Sequence, residues 1–237
     1  MSALMGAPQP VHLPSLRRQV RLLVLLRAAE AAGLAPLRIL RLHAFAYLSN
    51  VLAPVWDLRA LDGKVLKRRG GPFYPALQRD LDRLVGMGLV LISGLGHVQD
   101  DEKRWRLEGF YRLNHGLADV VLEHVATFEE ERWLVSFVQE LAYALSVLSD
   151  KDLDQAMTED ATYSDPLVSF GGIVDFDEWR RTNYSASAAR RFEDLIPSGA
   201  RDTGRNASLV RPSPAPENPW RTLMRTAPRL AHGRTRI

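Results

Sequence analysis

From Ser15 to Leu107 the hydrophobic residues change their spacing once, and the order of that change restricts the fold more than any composition does. Three stretches carry apolar residues three or four apart, the spacing of one helix face. A fourth alternates, the spacing of a half-buried strand. The first stretch runs from Ser15, an N-cap residue, to Gly33, a C-terminal stop, with Leu16, Val20, Leu23, Val24, Leu26, Ala28 and Ala31 nearly encircling its second half. Pro36 opens the second, which carries Leu37, Leu40, His43, Ala44, Tyr47, Leu48 and Val51, and Pro54 closes it. Residues 55–71 then hold an Asp62-Gly63 turn beside the β-prone pair Val65-Leu66. Pro72 and Pro75 open the third helix, which presents Leu77, Leu81, Leu84 and Val85 on one face and ends at Gly86 and Gly88. Leu89 to Ser93, a polar tip from Gln99 to Lys103, and Arg104-Trp105-Arg106-Leu107 complete a two-stranded hairpin. Three helices followed at once by a hairpin are the element order of a winged helix. The expected fold is mainly α within the α+β class, an N-terminal winged helix-turn-helix with a small two-stranded wing followed by a helical domain.

Beyond the hairpin the pattern is helical throughout. Asn114 caps a run with Leu117, Val120, Val121 and Val125, and Thr127 with Glu130 forms a capping box before the strongest stripe in the chain. That stripe contains Trp133, Leu134, Phe137, Val138, Leu141, Leu145 and Leu148. A weaker helix follows Asp150, and Asp177 caps a last one reaching Leu195. After Pro197 the apolar period stops, leaving Trp220, Leu223, Met224 and Leu230 as the clustered large apolar residues. The expected organisation is a flexible N-terminus over 1–14, a winged-helix domain over 15–113, a helical domain over 114–196 and a disordered basic tail over 197–237 with a short segment suited to docking on a partner.

The charge is unevenly placed. The chain of 237 residues has a net charge of +3. Its last 41 residues hold eight arginines against Asp202 and Glu217, a balance of +6, which leaves −3 on residues 1–196. The third helix sets Arg79 and Arg83 against Asp80 and Asp82, and the hairpin tip carries Asp100, Asp101 and Glu102. A wing that grips a duplex places cations beside phosphates, so these acids oppose such a role. Contact with nucleic acid, where it occurs, falls to Lys64, Lys67, Arg68 and Arg69, to Arg79 and Arg83, and to the tail, and is peripheral.

The motifs that announce catalysis are missing. The sequence holds no cysteine, which excludes thiol catalysis and thiolate metal sites. It has no Walker, dinucleotide-binding, zinc-protease or nucleophile-elbow motif. Its six histidines are scattered; His43 lies on the apolar side of its helix and reads as a hydrogen-bonded core residue. Asp150, Asp152 and Asp154 open like a calcium loop, but Gln155 and Ala161 stand where that loop needs glycine and glutamate. No catalytic residue, metal or cofactor is therefore expected. The most apolar run, Leu22 to Leu26, is too short to span a bilayer, and a cytoplasmic location is expected. Phe73 and Tyr74 sit between two prolines as an aromatic elbow whose plainest role is a hydrophobic staple under the third helix, and Trp56 covers the same corner. With Trp133 and Phe137 these residues form the candidate partner interface, because the helices around them are more apolar than a small monomer needs.

The segments Leu42-His43-Ala44-Phe45-Ala46-Tyr47-Leu48, Ala53-Pro54-Val55-Trp56, Asp62-Gly63-Lys64-Val65-Leu66-Lys67, Gly71-Pro72-Phe73-Tyr74-Pro75 and Leu81-Asp82-Arg83-Leu84-Val85-Gly86-Met87-Gly88-Leu89-Val90 together resemble the middle components of bacterial ABC-three-component conflict systems. The likeness covers residues 40–95 and leaves out the helical half and the tail. It implies a non-catalytic accessory subunit bridging an SMC- or Rad50-type ABC ATPase and an effector directed at phage or plasmid DNA. The nucleotide site would then lie in another chain. Tyr47-Leu48 and Gly71-Pro72 are also similar to antitoxin domains of the Panacea kind. The alternative is a winged-helix transcriptional regulator or antitoxin that binds DNA; a hydrolase or nuclease, a third class, has no motif behind it.

Overall fold

The computed structural model describes residues 13–56, 64–68, 70–99 and 105–149, and beyond them Leu58, Lys103, residues 151–153, Gln155, Asp160, residues 163–164, residues 168–175, Ser187 and Arg191. The first helix, α1 (Leu13–Ala31), is followed by a two-residue strand β1 (Leu37–Arg38), helix α2 (Ile39–Leu52) and a 3₁₀ turn over Ala53–Trp56. A hairpin of β2 (Lys64–Arg68) and β3 (Gly71–Phe73) precedes α3 (Pro75–Gly86), and β4 (Val90–Gln99) and β5 (Trp105–Leu113) follow it. Helices α4 (His115–Val125) and α5 (Glu129–Ser146) and strand β6 (Ile173–Asp175) complete the elements, a mixed α+β arrangement. Both sheets are antiparallel: one has the order β1-β5-β4, the other β3-β2-β6.

Helix α1 is the hub. Leu22, Leu23, Val24, Leu25 and Leu26 are five consecutive buried residues, so the helix is apolar on all sides because it is covered on all sides. It lies against α5, α3, β5, α4 and α2. Its end is a Schellman turn: Gly33 has φ 72°, Gly33 N–H donates to Glu30 O at 3.0 Å and Leu34 N–H to Ala29 O at 2.8 Å. Gly88, with φ 74°, closes α3 in the same way. The buried apolar side chains form one continuous cluster from α1 and α2 through Tyr74, Leu77, Leu81 and Leu113 to Phe137, Leu141 and Leu145 of α5.

Several local details differ from the sequence expectation. Helix α1 begins two residues before Ser15, whose hydroxyl is spent on α3 and not on capping. Leu37 and Arg38 belong to β1 and pair with Tyr111 and Phe110 of β5. The expected Thr127–Glu130 capping box is replaced by an N-cap at Phe128, and the Thr127 hydroxyl donates back to His124 O at 2.7 Å. Asn114 precedes α4 but turns its amide to Gly88 O at 2.8 Å. The expected Asp62-Gly63 turn, the wing tip Asp100–Glu102, Arg69, residues 1–12 and the tail over 197–237 lie outside the described residues. So does the expected last helix, apart from Ser187 and Arg191, both helical.

Arg21 is an exception inside the hub. It is buried on α1, and its Nε and Nη1 have no hydrogen-bond acceptor. Burial pulls its guanidinium down to about 10, countered in part by the charge of Glu131. A buried cation left short of partners costs stability, and an isosteric apolar chain removes that cost. Arg21→Met is therefore expected to raise the urea midpoint, by about 1 kcal/mol. A loss of stability would mean that Arg21 is fully compensated by Glu131.

Candidate functional site

Three polar constellations fix the helices that carry the surface. The first ties α1 to α3. Asp80 of α3 is buried, and its carboxylate accepts from the Ser15 hydroxyl, from Arg18 Nε at 2.6 Å and from Gln19 Nε2 at 3.4 Å. Arg83, one turn later, reaches Asp80 at 3.4 Å and the Ser15 hydroxyl at 3.0 Å. The second ties α2 to the start of α3. His43 Nδ1 accepts the Tyr74 backbone N–H at 3.2 Å, and its Nε2 lies 3.2 Å from Gln78 Oε1, so Nε2–H donates there. Burial pulls the imidazole down to about 4; the Gln78 bond resists this and the charge of Arg68 adds to it. A third junction joins α1 to α4, where His115 Nε2 lies 3.1 Å from Glu30 Oε2 and Arg27 pairs with Asp119 at 3.2 Å. Among the described residues no group of three or more His, Asp or Glu side chains is placed to hold a metal ion.

The candidate cations scatter. Lys67 is buried, its Nζ 5.9 Å from the Tyr163 ring centroid and 5.6 Å from that of Phe170. An ammonium enclosed by rings is not presented to a phosphate, so Lys67 leaves the candidate nucleic-acid set. Arg68 is exposed but lies flat on Phe73 at 3.9 Å, and Arg83 serves the Asp80 cluster. Lys64 and Arg79 are exposed; Arg69 lies outside the described residues. The candidate interface aromatics separate as well. Tyr74 and Phe137 are fully enclosed in the core, which removes them from any docking surface, and Trp56 stands on Phe137 at 5.6 Å between ring centroids. Phe73 is a β3 residue packed at 4.6 Å on the His43 ring, in place of the staple expected under α3. Trp133 alone of the five is exposed, at 50%.

The surface that sequence reasoning missed is one face of the β4–β5 hairpin. Trp105 pairs with Gln99, Leu107 with His97, Tyr111 with Ile92 and Leu113 with Val90. Alternation places Trp105, Leu107, Gly109, Tyr111 and Leu113 on one face of β5. Tyr111 and Leu113 enter the core, whereas Leu107 and Trp105 continue the same apolar stripe into solvent, Trp105 at 69% exposure. Leu95, which lies within the bulge between Ser93 and Gly96, joins them: a Cβ at Gly109 would come within 3.3 Å of its Cδ1. The opposite face carries a shallow groove of about 350 Å³ lined by Arg38, Gly94, Gly96, Val98, Glu108 and Phe110, with the Arg38 guanidinium 5.3 Å above the Phe110 ring. No nucleophile stands there beside a base.

Compared with known protein families, with curated proteins and with solved structures, the chain matches none. Among the described residues no helix is long and apolar enough to cross a membrane.

Proposed function

We propose that the chain is a non-catalytic adaptor built on a winged helix, joining an SMC- or Rad50-like ABC ATPase to an effector in defence against phage or plasmid DNA. The element order α1-β1-α2-α3-β4-β5 and the sheet order β1-β5-β4 support the winged helix, with the β2–β3 hairpin inserted between the helices of the helix-turn-helix. The observation that carries the adaptor reading is the wing. A wing that binds duplex DNA offers cations to phosphates. This one offers Leu95, Leu107 and Trp105, and the sequence from Asp100 to Arg106 holds three acids and three bases. An exposed apolar stripe with cancelled charge suits a protein partner.

The test is co-expression with the ATPase encoded beside it. A stable complex is expected, and Trp105→Glu with Leu107→Glu should abolish co-purification while leaving the far-ultraviolet circular dichroism unchanged. Absence of any complex with the unaltered chain would sink the adaptor; an unaltered yield from the double variant would sink the wing as its contact. The second reading, a DNA-binding regulator or antitoxin, draws on the exposed Lys64, Arg68 and Arg79. It requires sequence-specific duplex binding that survives moderate salt and weakens in Arg79→Ala.

A further inference from the structure

Helix α5 buries one face on α1 and leaves the other without a partner element among the described residues. Its outer face carries Trp133, Glu140 and Val147 at intervals of seven residues, with Ser136 and Tyr143 between them. Trp133, Tyr143 and Val147 are exposed. Intervals of seven with intervening threes and fours are the seam of a helix that receives a second helix. The seam is also acidic. Glu129, Glu130 and Glu140 of α5 are exposed, and Arg132 is the one basic residue within that helix. Glu140 lies within the apolar stripe, where burial raises its carboxyl above the ordinary range.

The chain holds a segment of the matching chemistry. Asn218-Pro219 has the sequence pattern of a helix start, and Pro228 that of a helix stop. Between them Trp220, Leu223, Met224 and Ala227 fall at i, i+3, i+4 and i+7, one apolar face, flanked by Arg221 and Arg225. Residues 218–229 contain three arginines and no acid. We propose that the outer seam of α5 is a docking site for residues 218–228 of the same chain, apolar face on the Trp133–Val147 stripe and arginines toward Glu140 and the Glu129-Glu130 pair at the start of the helix. Reach does not restrict this: the chain between Asp175 and Trp220 spans on the order of 150 Å when extended, several times the length of α5. Helix-in-groove recognition with complementary charge is the mode, and tethering supplies the effective concentration. The site is distinct from the wing, so the adaptor reading and this one stand or fall separately.

The cysteine-free sequence permits a direct test in the full chain. Ser136→Cys on the seam is combined with Thr226→Cys beside the apolar face of the segment. The control pair is Ser93→Cys, on the wing, with the same Thr226→Cys. Under mild oxidation at low protein concentration the seam pair is expected to form an intramolecular disulfide roughly tenfold faster than the control, the advantage of docking over mere tethering. Arg221→Glu with Arg225→Glu should bring the two rates together, and Glu129→Lys with Glu140→Lys added should restore part of the difference. Equal rates in the unaltered background overturn the proposal, as does a seam disulfide that forms only between two copies.

Discussion

Asp80→Ala is expected to destabilise the chain by about 3 kcal/mol, the largest loss from any single polar substitution on its surface-facing helices. The carboxylate is 1% exposed and holds Ser15, Arg18 and Gln19 from α1 and Arg83 from its own helix. Removing it leaves the Arg18 head, itself mostly buried, without its anion, and leaves the Ser15 hydroxyl without its acceptor. Deleting one partner of a buried pair costs far more than the pair contributes net, because the survivor keeps its desolvation penalty. Arg18→Met beside Asp80→Ala should therefore recover much of the loss, a strong non-additivity visible in a double-mutant cycle. Ser15→Ala alone should cost about 1 kcal/mol. Urea unfolding measures all four chains. If Asp80→Ala stays within about 0.5 kcal/mol of the unaltered protein, as an exposed substitution such as Glu123→Ala should, the cluster contributes nothing to the α1–α3 contact.

The same cluster shows where the sequence was legible and where it was not. Helix α3 reads directly, because Pro75 at its first turn and Gly88 at its end act within a few residues. Ser15 does not: its side chain is 65 residues away from the acceptor it uses, and only the folded chain brings Asp80 within reach. Asp80 and Asp82 look equivalent as charges that cancel Arg79 and Arg83, yet Asp80 is buried and Asp82 is exposed and bonded to Gln78. Strand β1 is illegible for a different reason. Two residues have no period, and Leu37 and Arg38 exist as a strand only because β5 offers them an edge. The basic neighbours of Lys67 in sequence make it a solvated loop charge, or a phosphate contact where nucleic acid is bound; the rings beside its ammonium come from Tyr163 and Phe170, far along the chain.

The β4–β5 hairpin is legible only in part. The alternation of Trp105 and Leu107 is real and predicts a strand correctly. Period two says which side chains share a face but not whether anything covers that face. The stripe is covered at Tyr111 and Leu113 and bare at Leu107 and Trp105. The candidate site was thus half visible: its residues lay in a recognised strand, and only the fold revealed that they look outward. Tyr74 and Phe137 are the reverse case, aromatic residues conspicuous in sequence and occupied entirely by the core.

Acid should weaken the fold well before its carboxylates are protonated, through His43. The imidazole is fully buried and bonded as a neutral ring, accepting at Nδ1 from Tyr74 N–H and donating at Nε2 to Gln78. A proton on Nδ1 would set two donors against each other and place a charge in the core, beside Arg68. The folded value is about 4 and the unfolded value 6.5, so between these limits the unfolded chain binds more protons. Stability from this residue is complete above pH 6.5 and falls as the pH drops toward 4. Over that window the loss approaches about 3 kcal/mol, a shift of roughly two and a half units at 1.36 kcal/mol each. Urea unfolding at pH 7 and at pH 4.5 should differ accordingly, and His43→Gln, which loses some stability at pH 7, should lose most of the pH dependence. An imidazole that titrates near 6.5 by proton NMR in the folded chain would overturn the argument, because it would require Nδ1 to reach water. The consequence reaches the surface: His43 holds Tyr74 at the start of α3, so protonating it loosens the helix that leads into the β4–β5 hairpin and should weaken any partner bound there in the same window of pH.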